Sequence, residues 1–214
     1  PLYYPIDTAN IGKDRRSLFT TLLNGIKSGK ITEVYADDYF NTKKTLKDMS
    51  SSFKYVDTTQ AGIDEINNYY DDYKKGKRVL DPQYINQKDL TAQDISGYKI
   101  KGYWYFDKRQ SELKYRLLGI CPVSPEARDI GNENPDVIEL FWVYFPAIRD
   151  QLHEAKAFND RNSAQPITFD HLLNSRRFNG VIYKEENVYG DRQISDYEKD
   201  NAQMQLLESE RVKE

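Results

Sequence analysis

His153 followed by Glu154 is the pair with which a zinc-protease helix opens its metal site, and that chemistry needs a second histidine four residues after the first, on the same helix face. Position 157 holds Ala157, and the other histidine, His171, falls on a different predicted helix, so the spacing argues against a metal centre. EENVYGD, residues 185–191, has carboxylates and a glycine but not the regular oxygen spacing of a calcium loop. Gly25, Gly29 and Lys30 resemble a phosphate-binding loop, yet the glycines are one residue too close and Ile31 stands where Ser or Thr would hold magnesium. That segment also ends a predicted helix, so it would offer carbonyls rather than amides to a phosphate. Cys121, between Ile120 and Pro122 in an apolar run, reads as a packed thiol, and no glycine-flanked serine elbow is present. The acidic pairs Asp37–Asp38, Asp71–Asp72 and Glu185–Glu186 have the groups for acid and base work, but each reads first as a solvated face. The expectation is a protein without cofactor, metal or catalytic residues.

Recognition chemistry is better represented. In RRFNGVIYKEENVYGDRQISDY, residues 176–197, Glu185, Glu186 and Asp191 alternate with Lys184 and Arg192 around apolar side chains. Arg176, Arg177 and Arg192 are available for carboxylate forks, and Tyr183 and Tyr189 are anchors that lose little entropy on binding. With Tyr103 and Tyr105 these form the candidate partner-binding set. The bland alternative is that Arg176 and Arg192 tie the segment to its own domain. Lys99, Lys101, Tyr103 and Tyr105, with the two arginines, could also grip single-stranded RNA. Alternating charge suits a protein partner better than phosphates of one sign. A net charge of −3 and an isoelectric point near 5.6 also remove any global attraction to nucleic acid.

These residues need a scaffold. Asp14 reads as the N-cap of a helix carrying Leu18, Phe19, Leu22, Leu23 and Ile26 on one face, stopped by Gly29. ITEVYA reads as a strand and NTKKTLKDM as ambiguous. Thr58 or Thr59 starts a second helix, with Ile63, Ile66, Tyr70 and Tyr73 in a stripe and Gly76 at its end. Residues 77–97 read as a loop. YKIKGYWYF, DKRQS and ELKYRLLGI predict a β-hairpin, with Tyr98, Ile100, Trp104, Phe106, Leu113, Tyr115 and Leu117 facing the core. VIELFWVYF predicts a central strand, followed by a helix with Pro146 in its first turn. Ile167 and Leu172 bracket a Thr168 N-cap for the helix FDHLLNSRRF, with Gly180 beyond its end. VIYKEENVY is a further strand or extended arm, and the apolar stripe of the last helix is sparse. The fold expected is α+β: a single domain with an antiparallel or mixed sheet built around the hairpin and flanked by helices, residues 1–194. A weakly packed C-terminal helical extension covers 195–214.

A chain of 214 residues is long enough to bury about 70% of its unfolded surface. Charged residues reach 30% against 38% hydrophobic, and 17 tyrosines outnumber 9 phenylalanines, which favours wide, half-wet contact surfaces. One cysteine excludes an internal disulfide without deciding the compartment. No apolar run approaches the length of a membrane span. The opening PLYYPIDTAN lacks a methionine and reads as a processed or trimmed chain. LLNGIKSGKITEVYADDY (22–39) and LLNSRRFNGVIYKEENVY (172–189) share a helix, Asn, Gly, a β-branched residue before Tyr and an acidic pair. Duplication and coincidence both remain open.

YWYFDKRQSELKYRLLGICPVSP, FWVYFPAIRDQL and AFNDRNSAQPITFDHLLNSRRFNGVIYKEENVYGDRQISDY resemble the GldN/PorN family of the type IX secretion and gliding machinery of Bacteroidetes. The resemblance is strongest from Val137 to Tyr197, and LFTTLLNGIKSGKITEVYADDYF also fits. It implies a periplasmic, non-enzymatic subunit that joins a PorK/GldK-type outer-membrane lipoprotein in a ring, with self-association. It also implies contact with the periplasmic part of a PorM/GldM-type motor component, and it brings no catalytic residues. The competing readings are a carbohydrate- or peptidoglycan-binding module, stacking sugars on Trp104, Tyr103 and Tyr105, and a hydrolase using an acidic pair.

Overall fold

The computed structural model describes residues 2, 15–131, 135–157, 167–188, 190–199 and 201–213, without the side chains of residues 46, 51 and 52. The fold is α+β, and the chain divides into two compact units, residues 1–176 and 177–214. The helical extension expected over 195–214 lies in the second unit, together with the arm that precedes it.

In the first unit, helix α1 (Leu18–Lys27) buries Leu18, Phe19, Leu22 and Ile26. Ser17 caps it, its Oγ accepting from the Thr20 amide at 3.3 Å, and the Phe19 amide donates to the Tyr98 hydroxyl at 3.2 Å. The expected cap, Asp14, lies outside the described residues. Gly29 adopts φ +73° just past the helix end, the left-handed conformation that ends helices. ITEVYA is not a strand. Only Tyr35 pairs, bridging Lys43 on one side and Trp142 on the other. The reason is the turn that follows: the Asp37 carboxylate accepts the amides of Tyr39, Asn41 and Thr42 and folds the chain back before a ladder can extend.

The ambiguous NTKKTLKDM leads into helix α2 (Leu46–Phe53), opened by a capping box between Thr45 and Asp48. Strand β1 (Lys54–Thr58) then leads to helix α3 (Gln60–Asn68), capped by Thr59, one of the two threonines the sequence offers. The single helix expected up to Gly76 is broken at Tyr69 (φ −124°, ψ 34°), and α4 (Tyr70–Lys74) follows. Its apolar stripe is largely exposed, so little packing holds the two helices in one line. The expected loop 77–97 contains strand β2 (Ile85–Asp89), antiparallel to β1 from Lys54↔Asp89 to Thr58↔Ile85. Both strands are polar and mostly exposed, so no period-2 apolar pattern announces them.

The hairpin forms as expected: β3 (Gly97–Asp107) pairs antiparallel with β4 (Glu112–Pro125). The register slips where Lys101 faces Gly119 and Gly102 faces Leu117, leaving Leu118 as the extra residue of a β-bulge. The expected central strand is split into β5 (Val137–Glu139), paired with Val123–Pro125, and β6 (Val143–Tyr144), paired with Gly119–Ile120. Between them Leu140, Phe141 and Trp142 are buried at 0–1% exposure. Burying side chains of this size is worth about 1.5–3 kcal/mol each, more than the ladder hydrogen bonds the break gives up. Phe141 meets Phe53 edge to face at 6.0 Å, and Phe53 meets Phe19 at 6.2 Å, linking the sheet to α2 and α1.

Helix α5 (Phe145–Glu154) has Pro146 in its first turn and buries Phe145, Ile148 and Leu152. A short pair, β7 (Lys156–Ala157) with β8 (Ile167–Thr168), precedes helix α6 (Phe169–Asn174). Thr168 caps α6 as expected, accepting from the His171 amide at 3.2 Å. The helix stops well before Gly180, because Arg176 takes the left-handed conformation (φ 52°) and its amide returns to the Leu173 carbonyl.

In the second unit, the arm around residues 181–188 is not a regular strand. Lys184 bridges Gln193, and the Ile194 amide donates to the Tyr183 carbonyl. Asn187 and Asp191 close the intervening turn by exchanging amide-to-side-chain bonds of 2.9 and 3.1 Å. Helix α7 (Ile194–Tyr197) buries Ile194, and helix α8 (Ala202–Lys213) buries Ser209, whose Oγ accepts from the Ile182 amide. Met204, Leu206 and Leu207 of α8 are exposed. Among the described residues no helix is long and apolar enough to cross a membrane.

Candidate functional site

The sequence pattern assigns the whole of one hairpin face to the core. Burial holds only at the base, where Leu117 and Ile120 are enclosed. Toward the turn the same face opens: Trp104 is 49% exposed, Phe106 59% and Leu113 64%. Beyond the bulge the ribbon outruns its neighbours, since β5 and β6 pair only with residues 119–125 of β4. Among the described residues no third strand pairs with either edge of the distal ribbon. Alternation alone could not reveal this, because an apolar stripe looks the same whether covered or bare.

Tyr103 and Tyr105 lie on the opposite face with ring centres 5.8 Å apart and planes tilted by 46°. Arg116 approaches the Tyr105 ring at 5.7 Å, and Lys114 pairs with Asp107 at 3.0 Å. Lys101 lies 3.9 Å from the Tyr39 ring centre. Residues 101–117 carry five cations and two carboxylates, a net charge of +3 in a chain whose total is −3.

Arg176 stacks its guanidinium 4.8 Å from the Trp104 ring centre and 5.7 Å from that of Tyr115. Burial pushes the Tyr115 hydroxyl above its usual pKa, and Arg176 partly offsets that. The bland alternative therefore describes Arg176: it is engaged within its own unit. Trp104 and Tyr115 also lie against each other at 5.2 Å. The Trp104 indole thus carries the Arg176 guanidinium, and the Tyr103 and Tyr105 rings are tilted rather than coplanar.

The other candidates lie in the second unit. Arg177 and Glu186 are exposed. The Tyr183 and Arg192 carbonyls accept bonds that hold the turn, the latter from Asn187 Nδ2 at 3.2 Å. Glu185 also offers its carbonyl to Asn187 Nδ2, at 3.4 Å. Tyr189 lies outside the described residues. Val181 is 65% exposed and Val188 92%. The sequence reading places these valines in the candidate stretch without singling them out as contact residues, and it assigns Phe106 and Leu113 to the core.

The chemical look-alikes have structural explanations. A Cβ on Gly25 would lie 2.2 Å from the Gln151 side-chain amide, which donates to the Thr21 carbonyl at 3.0 Å, so this glycine makes room for an inter-helix contact. Cys121 is fully buried and its thiol is pushed up to about 12, chiefly by burial, far from a reactive thiolate. His153 and His171 sit exposed on α5 and α6. Among the described residues no three His, Cys, Asp or Glu side chains gather as a metal site. A shallow depression of about 280 Å³ lies along Asn67–Asp72.

The exposed aromatic and charged groups of this α+β chain gather on the distal β3–β4 ribbon and along residues 181–188. A family model described as gliding motility associated protein GldN matches residues 1–214, and the chain belongs to that family. A search of curated proteins gives no match.

Proposed function

We propose that this chain is a non-enzymatic structural subunit of the type IX secretion and gliding machinery. It works in the periplasm, assembles in a ring with a PorK/GldK-type outer-membrane lipoprotein, and contacts the periplasmic part of a PorM/GldM-type motor component. Membership of a family of gliding motility-associated proteins supports the machinery. The observation that carries the contact role is the distal β3–β4 ribbon, whose edges pair with no further strand among the described residues and which exposes Trp104, Phe106 and Leu113. Exposed rings and unpaired strand edges are liabilities in a protein that works alone and are assets in one that is covered by a neighbour.

The test is complementation in cells lacking the chain, scored by gliding and secretion. Asp71→Asn/Asp72→Asn and Cys121→Ala, which remove acid, base and nucleophile, are expected to restore both. Trp104→Ser/Phe106→Ser, at equal protein level, is expected to fail. Loss of function in either of the first two, with the protein folded and abundant, would overturn the reading.

A further inference from the structure

Resting on that reading, we propose that the outer edge of β4 at residues 112–117 takes up, as an added strand, an extended segment of another protein in which apolar and acidic side chains alternate. The edge is open for a local reason. Strand β6 pairs with Gly119 and Ile120 and would continue along β4 toward the hairpin turn, but its chain enters α5 at Phe145, and Pro146 has no amide to give to a ladder. Among the described residues no strand other than β3 pairs with β4 over residues 112–117. A strand edge left this way presents backbone amides and carbonyls that an incoming chain can satisfy, and the side chains beside it decide which sequence fits.

Charge and pleat select the occupant. Successive residues of β4 point to opposite faces, Leu113 and Tyr115 to one and Lys114 and Arg116 to the other. Leu113 is 64% exposed, and Arg116 is exposed beside the Tyr105 ring. Over residues 101–117, with their net charge of +3, Lys101 is answered by Asp38 at 3.4 Å and Lys114 by Asp107 at 3.0 Å. That leaves Lys108, Arg109 and Arg116, all exposed, against Glu112. An apolar side chain across from Leu113 and Tyr115 and a carboxylate across from Arg116 are favourable cross-strand pairs, whereas a cation across from Arg116 is not. The distal edge of β3 lacks this code, since residues 102–107 hold a carboxylate and no cation.

The test uses the intact chain, immobilised, and a pool of end-blocked peptides about seven residues long, the length of an ordinary strand. The pool carries Val, Ile, Leu or Phe at alternate positions and Glu, Lys or Ser between them, and the captured fraction is read by mass spectrometry. Glu is expected to exceed Lys at the intervening positions by about tenfold. Arg116→Glu, shown folded by circular dichroism, is expected to turn the preference toward Lys, which a loss of structure would not do. In the tightest binder, N-methylation of one alternate set of amides is expected to abolish binding and of the other set to be tolerated, because only one set faces the edge. No capture, equal capture of Glu and Lys peptides, or equal sensitivity to both methylation sets would overturn the added strand. So would binding of the ribbon to phosphatidylglycerol vesicles, or to a second copy of the chain, that excludes the peptides. The ribbon's role as a contact surface is tested separately, by complementation with Trp104→Ser/Phe106→Ser, so the two failures are distinguishable.

Discussion

The guanidinium of Arg176 lies over Trp104, 4.8 Å from the ring centre, although its backbone sits at φ 52° where glycine is the usual residue. A left-handed non-glycine residue costs about 1–2 kcal/mol, and a cation over an exposed ring returns about 0.5–1 kcal/mol. Arg176→Ala keeps the backbone strain and loses the stack, so it is expected to be less stable by about 0.5–1 kcal/mol. Arg176→Gly relieves the strain and should lie at or above Arg176→Ala in chemical denaturation. Both should alter the emission of Trp104, while Trp142, 1% exposed and away from Arg176's ring contacts, supplies a constant background. An Arg176→Ala protein more stable than Arg176→Gly would contradict this.

Phe40 is another strained position, at φ 60°. Its ring packs on Tyr35, Trp142 and Tyr144, and its Cζ lies 2.5 Å from where a Cβ on Gly119 would stand. Gly119→Ala must push that ring away, and overpacking of this kind costs about 1–3 kcal/mol. In a Phe40→Ala background the same change should be nearly neutral. A double-mutant cycle by urea unfolding measures the coupling, and additivity of the two changes would refute the contact.

Burial raises the Cys121 thiol from an ordinary 9.0 to about 12. The folded state therefore keeps its proton where the unfolded chain has lost it. This thiol's contribution is intact below pH 9 and is lost progressively as pH rises toward 12, at about 1.4 kcal/mol per unit. Cys121→Ala should flatten that part of the stability curve by an equal slope. Thiol reagents should label the native protein only at its unfolding rate, and rapid labelling of folded protein would contradict the assignment.

Hydrogen bonds to the amides of Asn41, Thr42 and Tyr39 hold the Asp37 carboxyl below its ordinary 3.8. A depressed carboxylate contributes stability above its unfolded pKa and loses it as pH falls through the folded one. Asp37→Ala should thus remove part of the acid-induced loss of stability expected below pH 4 and loosen the turn carrying Phe40, read as faster amide exchange at residues 39–42. Unchanged exchange would show that the turn does not depend on this carboxylate.

How much of this was legible depended on what each residue had to signal. The hairpin, the Thr59 and Thr168 caps and Pro146 in its helix are local chemistry and could be read directly. Tyr35 could not: its strand propensity is real, but Asp37 closes a turn two residues later. β1 and β2 are exposed and polar, so no alternation marks them. The bareness of Phe106 and Leu113 depends on where β5 and β6 stop, which is a property of distant residues. The stacking of Arg176 on Trp104 spans over seventy positions, and only the folded chain brings the two together.

The claim on which the account turns is that this chain acts by gripping neighbours, and sedimentation velocity of the purified chain mixed with the periplasmic portion of the PorK/GldK-type lipoprotein tests it most directly. A single faster-moving boundary containing both, well beyond the mass of a one-to-one pair, is the predicted result. Two independent boundaries at micromolar concentrations of each would contradict it.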